Sequence, residues 1–256
     1  MKPIFFLLLT LSIPRLAAQP LHFVGVFPAL SQTGTLSKKI LYSVYASATI
    51  DAFDQTVENI RYPATNLQLY VQPGIVYKIK PDWQAAVGYA YARHNLFGLR
   101  VNENRLWAQT VYNHALPKGR LAHRLRYEER YPLNLKTNIQ SKATLLRYQL
   151  GYHFQLYDSK TQKQGFSISA SHEVFLCLTG AKNSPVSSKN AFCGENWSYA
   201  GVGYTTAKAG RIEAGYMLQN LVRNPQRDHR YLHLFQITYH STFRLDDLLV
   251  WLYTPY

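Results

Sequence analysis

Leu121-Ala122-His123-Arg124-Leu125-Arg126-Tyr127-Glu128-Glu129-Arg130-Tyr131 alternates residue by residue: odd positions up to Tyr127, and again Tyr131, are apolar or aromatic, and even positions from Arg124 onward are charged. The next run repeats the pattern, with Leu146, Tyr148, Leu150, Tyr152, Phe154 and Leu156 on one side and Arg147, Gln149, Gly151, His153 and Gln155 on the other. A period of two puts successive side chains on opposite faces, so both runs are β-strands. Eleven residues from 121 to 131 and eleven from 146 to 156 are about twice the usual strand of about five to six. That is the length a tilted strand needs to cross a bilayer. The expected architecture is an all-β, up-and-down antiparallel transmembrane barrel.

Working outward, residues 1–18 combine Lys2, an apolar run from Ile4 to Ile13 and the small pair Ala17-Ala18. This is the pattern of a secretory signal peptide cleaved before Gln19, with Arg15 and Leu16 departing from the small residue expected three positions before the cut. Residues 19–256 then form one domain. The run is too short for a membrane helix, and no later segment reaches the roughly eighteen apolar residues such a helix needs. Hydrophobic residues make up 47% of the chain, dispersed by alternation, and 20 are Tyr, a residue suited to membrane interfaces. The formal charge of +14 drops by two to +12 when Lys2 and Arg15 leave. In an exported chain that excess points to outer-membrane lipid, lipopolysaccharide or an anionic solute as partner, not to nucleic acid.

Ten alternating segments follow, near 40–52, 67–79, 83–93, 103–114, 120–131, 143–157, 165–176, 197–207, 211–220 and 230–242. Short connections (80–82, 116–119, 158–161, 208–210) alternate with long ones (53–66, 94–102, 132–142, 177–196, 221–229). An up-and-down barrel with periplasmic turns and outer loops requires that order. Two apolar pieces, Leu21 to Leu30 and Leu248 to Tyr253, are left over. Counting both would make twelve strands, and the extra N-terminal strand would reverse every loop's side and put the long ones in the periplasm, so ten is preferred. Residues 244–256 then read as a periplasmic tail, with a plug or edge cover as alternatives.

Lysines sit mostly in connections, whereas strand interiors carry Arg105, Arg124, Arg126 and Arg147. A confined polar lumen favours planar guanidiniums paired with carboxylates, which places the charged face inward. Gly151, Gly201, Gly203 and Gly215 share that face and leave room for long side chains. A tight turn near Leu116 and Pro117 would set Glu103 beside Arg130, Arg105 beside Glu128, Trp107 beside Arg126 and Gln109 beside Arg124. Arg147 would also reach Glu128. A slip of two residues would face Arg105 with Arg130, so charge favours the first register. Glu173, Arg211 and Glu213 extend this inward polar ladder.

The elements Glu103-Asn104-Arg105-Leu106-Trp107-Ala108-Gln109 and Arg124-Leu125-Arg126-Tyr127-Glu128-Glu129-Arg130 resemble E-x-R-x-W-x-Q and R-x-R-x-E-x-R motifs of a bacterial family. It is the outer-membrane β-barrel family classed as domain of unknown function twenty-four ninety. Arg147 to Leu150, Gly201 to Tyr204 and Glu213 to Met217 are similar to its later strands, whereas Asn196-Trp197 stands where the family more often has Arg after Asn. The resemblance spans about 42–243 and implies the barrel and its location; it implies no activity or catalytic residue.

Cys177 and Cys193 bracket one long connection, and in an oxidising compartment a disulfide there would constrain it by about 3 kcal/mol. His229 and His233 show H-x-x-x-H spacing, but on a strand they stand about 13 Å apart, too far to share an ion. No metal or cofactor is expected. Ser169 and His153 share the polar parity, the one trace of an esterase or acyltransferase. The expected function is non-enzymatic: a structural or interaction barrel with a filled lumen. The alternatives are a small anion channel lined by Arg124, Arg126, Arg130 and Arg147, and, more weakly, the lipid-modifying enzyme.

Overall fold

The computed structural model describes residues 21–57, 60–96, 98–158, 161–180, 192–207, 209–222 and 229–241. The leader at 1–18, the tail at 244–256, Leu248 to Tyr253 and most of the connection between the two cysteines lie outside the described residues.

The strands are β1 (Leu21–Thr35), β2 (Ile40–Asp51), β3 (Gln55–Val57), β4 (Ile60–Tyr62), β5 (Thr65–Lys80), β6 (Trp83–Leu96) and β7 (Leu99–Ala115). They continue as β8 (Arg120–Asn134), β9 (Ile139–Gln140), β10 (Ala143–Gln155), β11 (Gly165–Thr179), β12 (Cys193–Thr205), β13 (Arg211–Val222) and β14 (His229–Ser241). One sheet holds twelve of them in the order β10-β11-β12-β13-β14-β1-β2-β5-β6-β7-β8-β9, and β10 pairs back onto β8. Apart from the two-residue β9, eleven strands therefore close into a barrel, while β3 and β4 form a separate hairpin. Closure leaves none of the eleven barrel strands with a free edge.

The count falls between the ten and twelve expected, and one neighbour pair is different in kind. The leftover segment at Leu21 is a full barrel strand, antiparallel to β2 and parallel to β14, with Leu21 opposite Arg230 and Gln32 opposite Ser241. The barrel is therefore mixed. Adding β1 ties the side of the long connections to the side on which that strand begins. It places Leu21 at the end that carries the 52–64 and 135–142 connections, here the loop end. The other end, with the 36–39, 81–82, 116–119 and 206–210 connections, is the turn end. One expected long loop is also absent: β6 and β7 run on through 94–102 as a hairpin to Gly98, whose φ of 83° supplies the turn.

Side chains separate cleanly between faces. Val24, Val71, Val87, Leu106, Leu125, Val202 and Phe235 point outward and are exposed, whereas Glu103, Glu128 and Arg130 are between 0% and 1% exposed inside. An apolar exterior around buried charge is the reverse of a water-soluble barrel. Strand β14 shows why its facing is ambiguous in the sequence. Leu232 and Leu234 point inward and are buried, Phe235, Ile237 and Tyr239 point outward, and Gln236 and Thr238 return to the lumen. The inward apolar residues belong to a plug of Phe23, Phe27, Leu67, Leu221, Leu232 and Leu234 at the loop end.

Two glycine pairs bring neighbouring backbones under inward rings. Gly74 lies opposite Gly88, where a Cβ would stand 2.5 and 2.4 Å from the Trp107 ring. Gly201 lies opposite Gly215 beneath Tyr199, with a Cβ on Gly201 only 2.1 Å from its hydroxyl. Covering a glycine pair with an aromatic restores the contacts that the missing side chains forgo.

Candidate functional site: the barrel lumen

The ladder is built from the inward positions of four neighbouring strands. On β7, Arg105 Nε donates to Glu103 Oε1 at 2.9 Å, and Glu103 Oε2 meets His94 Nε2 at 2.8 Å. On β8, Arg130 Nη2 donates to Glu128 Oε2 at 2.6 Å, and from β10 Arg147 Nη1 donates to Glu128 Oε1 at 2.7 Å. Arg126 and Arg105 stand 3.5 and 3.9 Å from the same carboxylate. Glu173 Oε1 accepts from Arg147 Nε at 2.8 Å and from Arg124 Nη2 at 2.7 Å. Aromatic faces complete the lining. Arg126 lies 4.7 Å from the Trp107 ring centre and Arg147 lies 4.1 Å from that of Phe175, both within cation–π range.

All twelve expected ladder residues face the lumen, but the β7–β8 register is the slipped one. Arg105 pairs with Arg130, Trp107 with Glu128 and Gln109 with Arg126. The reason is the turn. Leu116 to Gly119 is a four-residue connection closed by Ala115 opposite Arg120, with Gly119 at φ 85°. The expected register needed a two-residue turn at Leu116-Pro117, whose favoured types call for positive φ, and proline is locked near −65°. The charged contacts survive because long side chains reach diagonally. Arg130 Nε is 3.6 Å from Glu103 and Arg105 is 3.9 Å from Glu128. Gln109 instead accepts from Arg126 at 2.6 Å, and Arg124 turns to Glu173.

Cys177 and Cys193 are not joined. Cys177 is buried inward with Ala143, Leu145 and Phe175. A bulge between Phe175 and Leu176 sets exposed Cys193 opposite Leu176, so the two thiols belong to opposite faces of the wall. His229 and His233 lie on the outer face of β14, where His233 Nε2 contacts His22 Nδ1 at 2.8 Å. Sequence reasoning missed His94, because it placed that residue in a loop, and Glu195, because it began β12 at Trp197. Glu195 has Trp197's parity, and the indole Nε1 donates to it at 2.5 Å.

Toward the turn end the ladder gives way to a cavity of about 560 Å³. Arg120, Arg124, Arg211, His153 and His240 line it, with Ser169, Ser171 and Gln149 between them. Tyr45, Tyr70 and Trp197 also line it. His153 and Ser169 are direct cross-strand partners with Nδ1 3.1 Å from Oγ. That contact does not compose a nucleophile and its base. Ser169 donates to Glu213 Oε2 at 2.9 Å, and Arg211 Nη1, which can only donate, faces His153 Nδ1 at 3.1 Å. Among the described residues no cluster of three His, Cys, Asp or Glu has the spacing to hold a metal ion. Toward the loop end the lumen is occupied by the ladder and the apolar plug.

A family model described as protein of unknown function DUF2490 matches residues 26–230. No curated protein matches the chain, and no solved structure does.

Proposed function

This chain belongs to the DUF2490 family of proteins of unknown function, and we propose that it is an integral outer-membrane barrel with a structural or interaction role and no through-pore. The observation that carries the reading is the inversion of faces: exposed Val, Leu, Ile and Phe around the wall, with Glu103, Glu128 and Arg130 buried within. A bilayer makes that exterior favourable, since apolar surface costs free energy against water. Strands of 12 to 17 residues exceed the span required. Outward Trp83, Tyr112 and Tyr152 toward the turn end, and Tyr131 and Tyr231 toward the loop end, are placed as interfacial anchors. The basic excess suits contact with lipopolysaccharide, and export by a cleaved leader accounts for residues 1–18. The loop end, sealed beneath by plug and ladder, is the face that meets surface partners. No catalysis is assigned.

A second reading, a small anion channel, has support from the arginines along the cavity. It would require the ladder and plug to move aside. The test is reconstitution of the full chain in planar bilayers after confirming that it leaves membranes only with detergent. Silence is expected, and stable anion-selective steps would establish the channel instead. A mature chain that stays soluble without detergent would refute the membrane placement.

A further inference from the structure

We propose that the turn-end vestibule of the lumen is a binding site for a small hydroxylated oxyanion of the polyol-phosphate class, gripped by Arg124 with Arg120 and Arg211 around it. The inference rests on the reading that the lumen is blind, because a pocket retains a solute that a pore would pass.

Space comes first. The cavity of about 560 Å³ lies within the range of small-molecule sites. Its floor is a row of small side chains on three adjacent strands: Gly151 lies opposite Ala122 on one side and Ser171 on the other. The inward glycines Gly74, Gly88, Gly201, Gly203 and Gly215 each have a neighbour within 3.0 Å of where a Cβ would stand. A Cβ at Gly151 would meet nothing closer than 3.9 Å. Packing thus covers the other glycines and leaves this one facing open room.

Charge comes second. Seven arginines line the cavity: Arg105, Arg120, Arg124, Arg126, Arg130, Arg147 and Arg211. Against them stand Glu173, Glu195 and Glu213, and the ladder adds Glu103 and Glu128, which makes five carboxylates. Two guanidiniums are in excess. The surplus lies toward the mouth, where Arg120 has no ion pair among the described residues. There Arg211 donates to His153 and His240 as well as facing Glu213 at 3.3 Å. One oxygen of Glu173 serves both Arg147 and Arg124, and the buried Nε of Arg124 has no acceptor among the described residues. A buried donor without a partner is costly, and a phosphate oxygen is the acceptor that a guanidinium fork binds best.

Hydroxylation is the third point. Gln236 lines the same cavity, and its buried Oε1 has no donor among the described residues. Ser169, Ser171 and Gln149 also face the space. A simple anion would leave Gln236 unanswered, whereas a hydroxyl beside the phosphate would donate to it.

The test is calorimetric titration of the detergent-solubilised full chain with glycerol 3-phosphate at low salt, glycerol being the uncharged control. Saturable binding is expected for the phosphate ester and none for glycerol. Gly151→Leu, which fills the floor, should abolish binding, and Arg124→Gln should weaken it tenfold or more. Both should keep the heat-dependent gel mobility of a folded barrel. Arg120→Gln, at the exposed mouth, should weaken binding without any demand on folding. Absence of saturable binding to the folded wild type overturns the site, as do unchanged affinities in the variants. Displacement of bound glycerol 3-phosphate by phosphatidylglycerol micelles would overturn the free-solute assignment. Stable bilayer conductance would count against the blind lumen while leaving the titration interpretable, so the two readings fail separately.

Discussion

Glu128 is fully buried and faces four guanidiniums, with Arg130 at 2.6 Å, Arg147 at 2.7 Å, Arg126 at 3.5 Å and Arg105 at 3.9 Å. Its charge offsets that of all four, and Arg130 and Arg126 have their closest carboxylate in it. Removing one member of a buried ionic cluster leaves uncompensated charge and costs about 3–5 kcal/mol. Glu128→Gln keeps the shape and removes the charge, so it should lower the thermal unfolding midpoint in detergent markedly. A midpoint within a degree of wild type would show that the ladder does not hold the barrel together. The membership of this cluster was legible from parity alone, since Glu103, Arg105, Arg126, Glu128 and Arg147 all occupy the charged side of their strands. His94 was not, because nothing local marks a residue of an expected loop as the end of a strand.

At the scale of the strand pair, the β7–β8 register is decided by backbone geometry at Pro117 and Gly119. Opposed like charges at Arg105 and Arg130 do not prevent it, because Glu103 and Glu128 lie within diagonal reach of both. Outward positions test this without disturbing the ladder. In a background lacking Cys177 and Cys193, Ala108→Cys with Tyr127→Cys should oxidise to a cross-link, since these residues are direct partners. Ala108→Cys with Leu125→Cys should not. The reverse result would restore the register that charge pairing favoured. The same limit explains the cysteines: chain proximity suggested a bond, whereas a one-residue bulge sends one thiol to each face.

Over the whole molecule, the parallel seam between β1 and β14 puts the start of β1 and the end of β14 at opposite ends of the barrel. Leu21 starts at the loop end and Ser241 finishes at the turn end. With the loop end outside, a membrane-impermeant maleimide added to intact cells should label Leu135→Cys and His22→Cys but not Lys118→Cys, each as the sole cysteine. Labelling of His22→Cys together with Lys118→Cys, and not with Leu135→Cys, would contradict the seam. Composition and alternation by themselves determined that the chain is β, that each strand has an apolar and a charged face, and which residues of the expected strands face the ladder. These are local properties, because parity depends only on a residue's place in its own strand. Only the tertiary structure decided the eleventh strand, its parallel pairing, the register and the position of the cavity. Parity is unchanged by a slip of two residues, and a strand edge hydrogen-bonds to a parallel or an antiparallel neighbour. Turn geometry, diagonal side-chain reach and closure of the ring made those choices.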